Sequence, residues 1–343
     1  MKIFIRMEEL LAGGESFVLA VIVSRSGPAP RDVGTRMVVR KDASIIGTIG
    51  GGLLEAQVRD LAMEVFSHRK PVLRKFSFTA KQAAEMCMIC GGAVEVLVYF
   101  VDASQSSNPE LYQQIVAALR ARVRAWLITE IPPEGGKSPP AQCMLKSDGT
   151  LVGRLASGVA QTLMPLPHGA KLVSHEGNLL LAEPLRHDST AFIFGAGHIS
   201  QELAPLTRLV GFRTVVLDDR KDFANRERFP TADQVIVPDS FEWVMNELEI
   251  GDDSYLIIVT RGHAHDRTVL RQALGTNAGY IGMIGSRRKR NLVYDNLHRE
   301  GFSRSEFDRV CSPVGLDIGA ETPEEIAVSI VAELIKVRAE KNR

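Results

Sequence analysis

An excess of charge of either sign is missing from this sequence. Its 343 residues carry 41 Lys and Arg against 41 Asp and Glu, a formal net charge of zero. Without a basic excess, nothing in the composition points to a nucleic acid or an anionic membrane surface as partner. Long apolar runs are also missing. Runs such as "YLIIVT" fall far short of the ~20 residues that span a bilayer. The opening "MKIFIRMEELLAGGES" has no long apolar core and carries acids, so it does not read as a signal peptide. The cytoplasm is the expected compartment. Cysteine is scarce, with 4 in the chain, which excludes a disulfide framework. Internal repeats and low-complexity tracts are absent.

What is present is ordinary globular composition, 45% hydrophobic and 24% charged, at a length that favours two domains. "IPPEGGKSPPAQ" (residues 131–142) reads as a loop, and "LAEPLRHDST" (181–190) as a linker. Before that linker the chain mixes hairpins with isolated helices. "SFVLAVIVS" is a strand, "TRMVVRKDASIIGTIG" a hairpin turning near Lys41, Asp42 and Ala43, and "GGLLEAQVRDLAMEVFSH" a helix with Leu54, Val58, Leu61 and Val65 on one face. After the linker, continuous apolar strands alternate with amphipathic helices, including one over "SFEWVMNELE" (240–249). That alternation describes a parallel sheet covered on both faces. The expected fold is α/β: an N-terminal α+β domain over residues 1–185, then a Rossmann-like doubly wound domain over 190–343.

Within the second domain, "FGAGHIS" joins a strand to its helix. Gly195 permits a tight turn, and Gly197, beside His198, lets backbone approach a pyrophosphate at the helix start. Ser200 stands at the third glycine of the usual fingerprint. Asp218 and Asp219 end the next strand, where an acid would bind a ribose hydroxyl. Strand ends further on supply Arg261, His263 and Asp266 from "TRGHAHD", placed in a loop, and Ser286, Arg287 and Lys289 from "GSRRKR". Cations at a helix start conflict with the helix dipole unless they meet an anion. Two readings of the glycine turn stay open: contact with a nucleotide or pterin dinucleotide, or strand–helix packing alone. The H-x-H-D spacing needs a further ligand to hold a metal, so no metal site is assigned.

In the first domain, Gly50, Gly51 and Gly52 precede a helix, with Glu55 in its first turn. Such a run exposes N–H groups to an anion or simply packs a helix closely on a hairpin. "EMCMICGG" (85–92) places Cys87 and Cys90 before Gly91 and Gly92. A strand follows the pair rather than a helix, which counts against thiol–disulfide exchange. No nucleophile–base pair is evident, and no catalytic residue is assigned.

Taken in order, "SGPAPRDVGTRMVV", "GTIGGGLLE", "CGG", "FGAGHIS", "VVLDDR", "TRGHAHDRTVL", "YIGMIGSRRK" and "SPVGLDIGAETPEEIAVSIVAELI" closely resemble the XdhC/CoxF family of xanthine dehydrogenase accessory proteins. The match runs from about Ser24 to the last helix. The resemblance implies a chaperone that binds the molybdenum cofactor, as molybdopterin or its dinucleotide form. It implies that the protein supports sulfuration of the metal and delivers the cofactor to an apo molybdenum hydroxylase such as xanthine dehydrogenase. A cysteine desulfurase is a further expected partner, and a homodimer the expected assembly. Many members carry a cysteine directly after the helix-start glycines, where this chain has Leu53. Cys90 matches the cysteine of the family's "CGG", so a sulfur or cofactor contact falls to Cys90, with Cys87 outside the pattern. The alternative class is an NAD(P)-dependent oxidoreductase using Gly195, Gly197 and Asp218. A nucleotidyl-handling enzyme would need a divalent metal near Asp218, His263 and Asp266.

Overall fold

The computed structural model describes the chain except residues 28, 30, 78–91, 134, 155–162, 164–165, 168 and 342–343, and the side chains of 263 and 264. The chain divides into two compact units, Met1–His187 and Asp188–Arg343. Among the described residues no helix is long and apolar enough to cross a membrane.

Unit 1 is α+β. Helix α1 (Lys2–Ala12) leads into strands β1 (Phe17–Ser26), β2 (Arg36–Val39) and β3 (Ile45–Gly47), then helix α2 (Gly52–His68) and strands β4 (Val72–Ser77) and β5 (Ala93–Val101). These five strands form an antiparallel sheet in the order β3-β2-β1-β5-β4. Helix α3 (Ser107–Arg120) crosses to a second antiparallel sheet. It contains β6 (Ala125–Ile131), β7 (Gln142–Lys146), β8 (Leu151–Gly153), β9 (Lys171–His175) and β10 (Asn178–Leu185), ordered β8-β7-β6-β10-β9.

Period-2 alternation sends neighbouring residues of a strand to opposite faces. Val18, Ala20 and Ile22 of β1 pack on Leu54, Val58, Leu61 and Val65 of α2, the helix face expected from their spacing. Leu19 and Val21 join Leu97 and Tyr99, Leu127, Met144 and Leu181 in a core shared by the two sheets and α3. With both faces of β1 covered, its run of apolar residues has no polar side to show.

The expected linker over 181–190 is partly wrong. Residues up to Leu185 belong to β10, which pairs with β6 from Leu179↔Ile131 to Leu185↔Ala125. Glu183 and Pro184 hide the strand pattern. Glu183 is tolerated because its carboxylate accepts from Arg36 Nη2, and both side chains of the pair are only 7% exposed.

Unit 2 is a parallel sheet of β11 (Thr190–Phe194), β12 (Arg213–Leu217), β13 (Gln234–Ile236), β14 (Ser254–Ile258), β15 (Tyr280–Met283) and β16 (Val310–Cys311). The order β13-β12-β11-β14-β15-β16 reverses direction between β11 and β14, as in doubly wound folds. Helices α4 (His198–Leu209), α5 (Gly262–Leu274), α6 (Arg287–Arg299), α7 (Arg304–Phe307) and α8 (Pro323–Lys341) accompany the strands. Ala191 and Ile193 face one core, Phe192 and Phe194 the other. Helix α8 starts on a reciprocal cap. Glu325 N–H donates to Thr322 Oγ1 at 3.3 Å, and the Glu325 carboxylate accepts from Thr322 N–H at 3.2 Å.

The helix expected over 240–249 shrinks to one 3-10 turn, Val244–Glu247. The cause is tertiary. Gln272 Nε2 donates to Phe241 O at 2.6 Å, and Met245 N–H donates to Gln272 Oε1 at 3.3 Å. The amide thus stands between two groups that an α-helix would join directly. Conversely, α5 begins at Gly262, so residues 263–266 sit in a first helical turn and not in a loop.

Candidate functional site

Strand register gathers the glycine motifs of unit 1 at one end of the first sheet. Ser26 pairs with Ala93, Ala93 with Ser77, and Met37 with Gly47. The loop after β1, the Gly50–Gly51–Gly52 turn after β3 and Gly92 before β5 therefore all leave from this end. Cys87, Cys90 and Gly91 lie outside the described residues.

The three glycines have φ of 135°, 80° and 58°, values that L side chains rarely adopt. The turn they form faces inward on a carboxylate. Glu55 Oε1 accepts from Gly51 N–H at 2.9 Å, Ile49 N–H at 3.2 Å and the Thr48 hydroxyl. Burial works against the Glu55 charge, but these donors hold its carboxyl below the ordinary range. The anion expected at this turn is supplied by the chain itself. Leu53 is 43% exposed beside it. It lines a groove of about 460 Å³ between α2 and β4, together with Gln57, Glu64, Arg74 and Lys75.

The second cluster lies at the carboxyl ends of the unit 2 strands. Gly195 has φ of 110°, and a Cβ there would strike the backbone of Val259 and Thr260. Ser200, fully buried, donates to Gly195 O at 2.6 Å and so ties helix α4 to the turn where a third glycine would otherwise pack. Asp218 accepts from Ala196 N–H at 2.8 Å and from Arg220 Nε and Nη2 at 2.8 and 2.9 Å. Burial opposes its charge, but Arg220 and the Ala196 N–H hold its pKa below the ordinary carboxylate range. Asp219 pairs with Arg261 at 2.9 Å.

Asp266 is fully buried, accepts from Thr260 Oγ1 at 2.6 Å and meets the Lys289 ammonium. Burial raises its pKa against the pull of Lys289 and Thr260. That pair explains one cation at the start of α6, where Ser286 also accepts from Lys289 N–H. Arg287 and Arg288 remain exposed. His198 is exposed at the start of α4, and His265 packs edge-on against Phe241, with ring centroids 5.5 Å apart.

Spacing alone does not single out Thr48 or Arg228. Arg228 donates to Ala196 O at 3.2 Å and Gln201 Oε1 at 2.8 Å, reaching the glycine turn from a loop well downstream in sequence. Cys143 and Cys311 are pushed up by burial to about 12 and about 11, which leaves both as unreactive thiols. Among the described residues no group of three or more His, Cys, Asp or Glu gathers to hold a metal ion.

Residues 191–334 match the XdhC Rossmann domain, and residues 10–77 match the XdhC and CoxI family. The chain is 26% identical to a probable xanthine dehydrogenase subunit of Bacillus subtilis, over 97% of this chain and 96% of that protein. It is 23% identical to the molybdenum cofactor insertion chaperone PaoD of Escherichia coli, over 96% of this chain and 86% of that protein. It is 26% identical to the uncharacterized protein YqeB of Escherichia coli, but spans only 46% of that protein's length. A solved structure described as a xanthine dehydrogenase from Bacillus halodurans superposes with a TM-score of 0.82 at 26% identity, covering 98% of this chain and 96% of that one.

Proposed function

Because the chain belongs to the XdhC and CoxI family, we propose that it is an accessory protein that binds the molybdenum cofactor and delivers it to an apo molybdenum hydroxylase of the xanthine dehydrogenase type. The observation that carries this reading is the end-to-end likeness to the protein named a molybdenum cofactor insertion chaperone. Sulfuration of the bound metal with a cysteine desulfurase as partner, and a homodimeric assembly in the cytoplasm, belong to the same reading.

The residues present fit the pterin and phosphate of such a ligand. In unit 1 the Gly51 turn leaves room for a ligand's surface, with nothing within 4 Å of an added Cβ, while its N–H stays bonded to Glu55 and offers a phosphate no donor. In unit 2, exposed Arg287 and Arg288 start a helix, where the dipole adds to their attraction for a phosphate. No protein–metal bond is assigned to a described residue, since the position after the glycines is Leu53. Cys90 keeps the proposed thiol contact. The cofactor would bring the redox-active metal, and the chain's own work is to hold, shield and release it.

The purified protein is incubated with molybdenum cofactor and passed through gel filtration. Retention of the cofactor, and activation of an apo-hydroxylase by the retained complex, is the expected result. No retention, with tight NAD(P) binding and turnover instead, would overturn the reading in favour of an oxidoreductase. Cys90→Ala is expected to reduce retention and Cys87→Ala to leave it unchanged.

A further inference from the structure

Helix α2 overhangs the edge of the first sheet. Leu54, Val58, Leu61 and Val65 hold it on β1 and β5. Its neighbouring face, Leu53, Gln57, Asp60 and Glu64, is exposed and forms one wall of the groove of about 460 Å³, with β4 as the other wall. β4 is an edge strand, and among the described residues it pairs with β5 alone. Every second residue of such a strand turns its N–H and C=O outward, a ready template for a further strand. Lengths and directions agree. Leu53 to Glu64 spans about 17 Å of helix, the length of about five strand residues, and β4 has six. β4 ends beside the glycine turn from which α2 starts, so Leu53 lies towards Phe76 and Ser77, and Glu64 towards Val72.

Charge is laid out across the groove. Asp60 and Glu64 stand on the helix wall, Arg74 and Lys75 on the strand wall, all four exposed. Among the described residues none of them makes an ion pair or a side-chain hydrogen bond, although the two walls carry opposite signs. Phe76 packs in the core beneath α2, so by alternation Arg74 shares its face, and Leu73 and Lys75 take the other. A second copy is the wrong occupant. Two β4 strands paired about a two-fold axis at mid-strand bring Arg74 and Lys75 against the same cations of the other copy, and like charges facing each other destabilise a sheet. Cations on an edge guard it in this way.

We propose that β4 takes an extended segment of a different protein as a further antiparallel strand, seated in the notch under α2. The segment puts an apolar side chain beside Phe76 and Leu53, a base beside Val72 under Glu64, and on its other face an acid beside Lys75. Backbone hydrogen bonds give such a complex its affinity and the alternate side chains its specificity. This goes beyond the accessory reading and does not rest on it.

The test uses two blocked peptides of one composition, Thr-Val-Glu-Thr-Val-Lys and Thr-Val-Lys-Thr-Val-Glu. The first matches the notch when it runs antiparallel to β4, and the second exchanges its charges. Each carries a dye and is titrated with the full chain by fluorescence anisotropy, and amide hydrogen exchange read by mass spectrometry locates it. The first is expected to bind and to slow exchange over residues 72–77. The second is expected to bind about tenfold more weakly, the factor that turning two exposed ion pairs into two repulsions supports. In the Glu64→Lys, Lys75→Glu double variant the preference is expected to invert. Both side chains are exposed, so the fold tolerates the exchange. The proposal is overturned by any of four results: no binding of the first peptide, equal binding of the two by the unaltered chain, a preference that persists in the double variant, or protection that spares β4. Protection of β4 that grows with protein concentration and needs no peptide would assign the edge to a second copy and overturn it too. Failure to retain molybdenum cofactor alongside intact peptide selectivity would sink the accessory reading alone.

Discussion

Glu183→Ala should unfold unit 1 well before any exposed substitution does. The Arg36 guanidinium is buried, and Glu183 is its paired anion; Arg36 Nη1 already has no hydrogen-bond partner. Burial works against the Arg36 charge, yet Glu183, with Tyr112 and Tyr99, keeps its pKa above the ordinary value. Removing the carboxylate leaves that cation uncompensated, a loss of about 3–5 kcal/mol. For a unit of 187 residues, each kcal/mol moves the midpoint by roughly 2–4 °C, so the expected fall is about 6–20 °C. The chain has 2 Trp. In a Trp243→Phe background, fluorescence of buried Trp126 on β6 reports unit 1 alone. Arg36→Met with Glu183→Leu should recover most of the loss, because apolar side chains of similar volume replace a buried pair without leaving a charge. A midpoint shift under about 2 °C for Glu183→Ala, or a double variant no better than the sum of the singles, would refute the argument.

Three further outcomes are expected. Glu55→Gln should cost about 1–2 kcal/mol at neutral pH. The Glu55 carboxyl is depressed, so its contribution is present above the unfolded value of about 4.3 and is lost as pH falls through the folded one. Urea midpoints for the two proteins should therefore converge in acid. Lys289→Met should destabilise unit 2 by roughly 3 kcal/mol near pH 7 by leaving Asp266 buried and unpaired. Since burial raises the Asp266 pKa, the unfolded state ionises first as pH rises, and denaturant melts of this variant should show stability returning towards pH 4. Ser200→Ala should cost about 1 kcal/mol by removing its bond to Gly195 O, seen as a lowered thermal midpoint of unit 2.

The second half of the chain is easy to read because parallel strands buried on both faces leave continuous apolar runs, and helices between them keep their own period. Where tertiary contacts replace local ones, the pattern misleads. The Gln272 amide cuts a helix to one turn at Val244–Glu247. A charged residue and a proline disguise β10, because Glu183 answers Arg36 from 147 positions away. The site residues divide in the same manner. Glycines, aspartates and basic residues announce themselves by type and place, but their partners do not. Nothing in the spacing shows that Asp218 is closed by Arg220 and Ala196, that Asp219 is answered by Arg261, or that Lys289 is answered by Asp266.

By itself, then, the sequence determined the family through the order of its motifs, and the architecture of unit 2 through its hydrophobic period. Only the folded chain decided what the glycine turns hold. The Gly50–Gly52 turn closes on the carboxylate of Glu55. The Gly195–Gly197 turn is fixed by Asp218, which accepts from Ala196 N–H. The physical reason is that periodicity and composition are local, whereas hydrogen-bond capacity is filled by whichever groups the fold brings within reach.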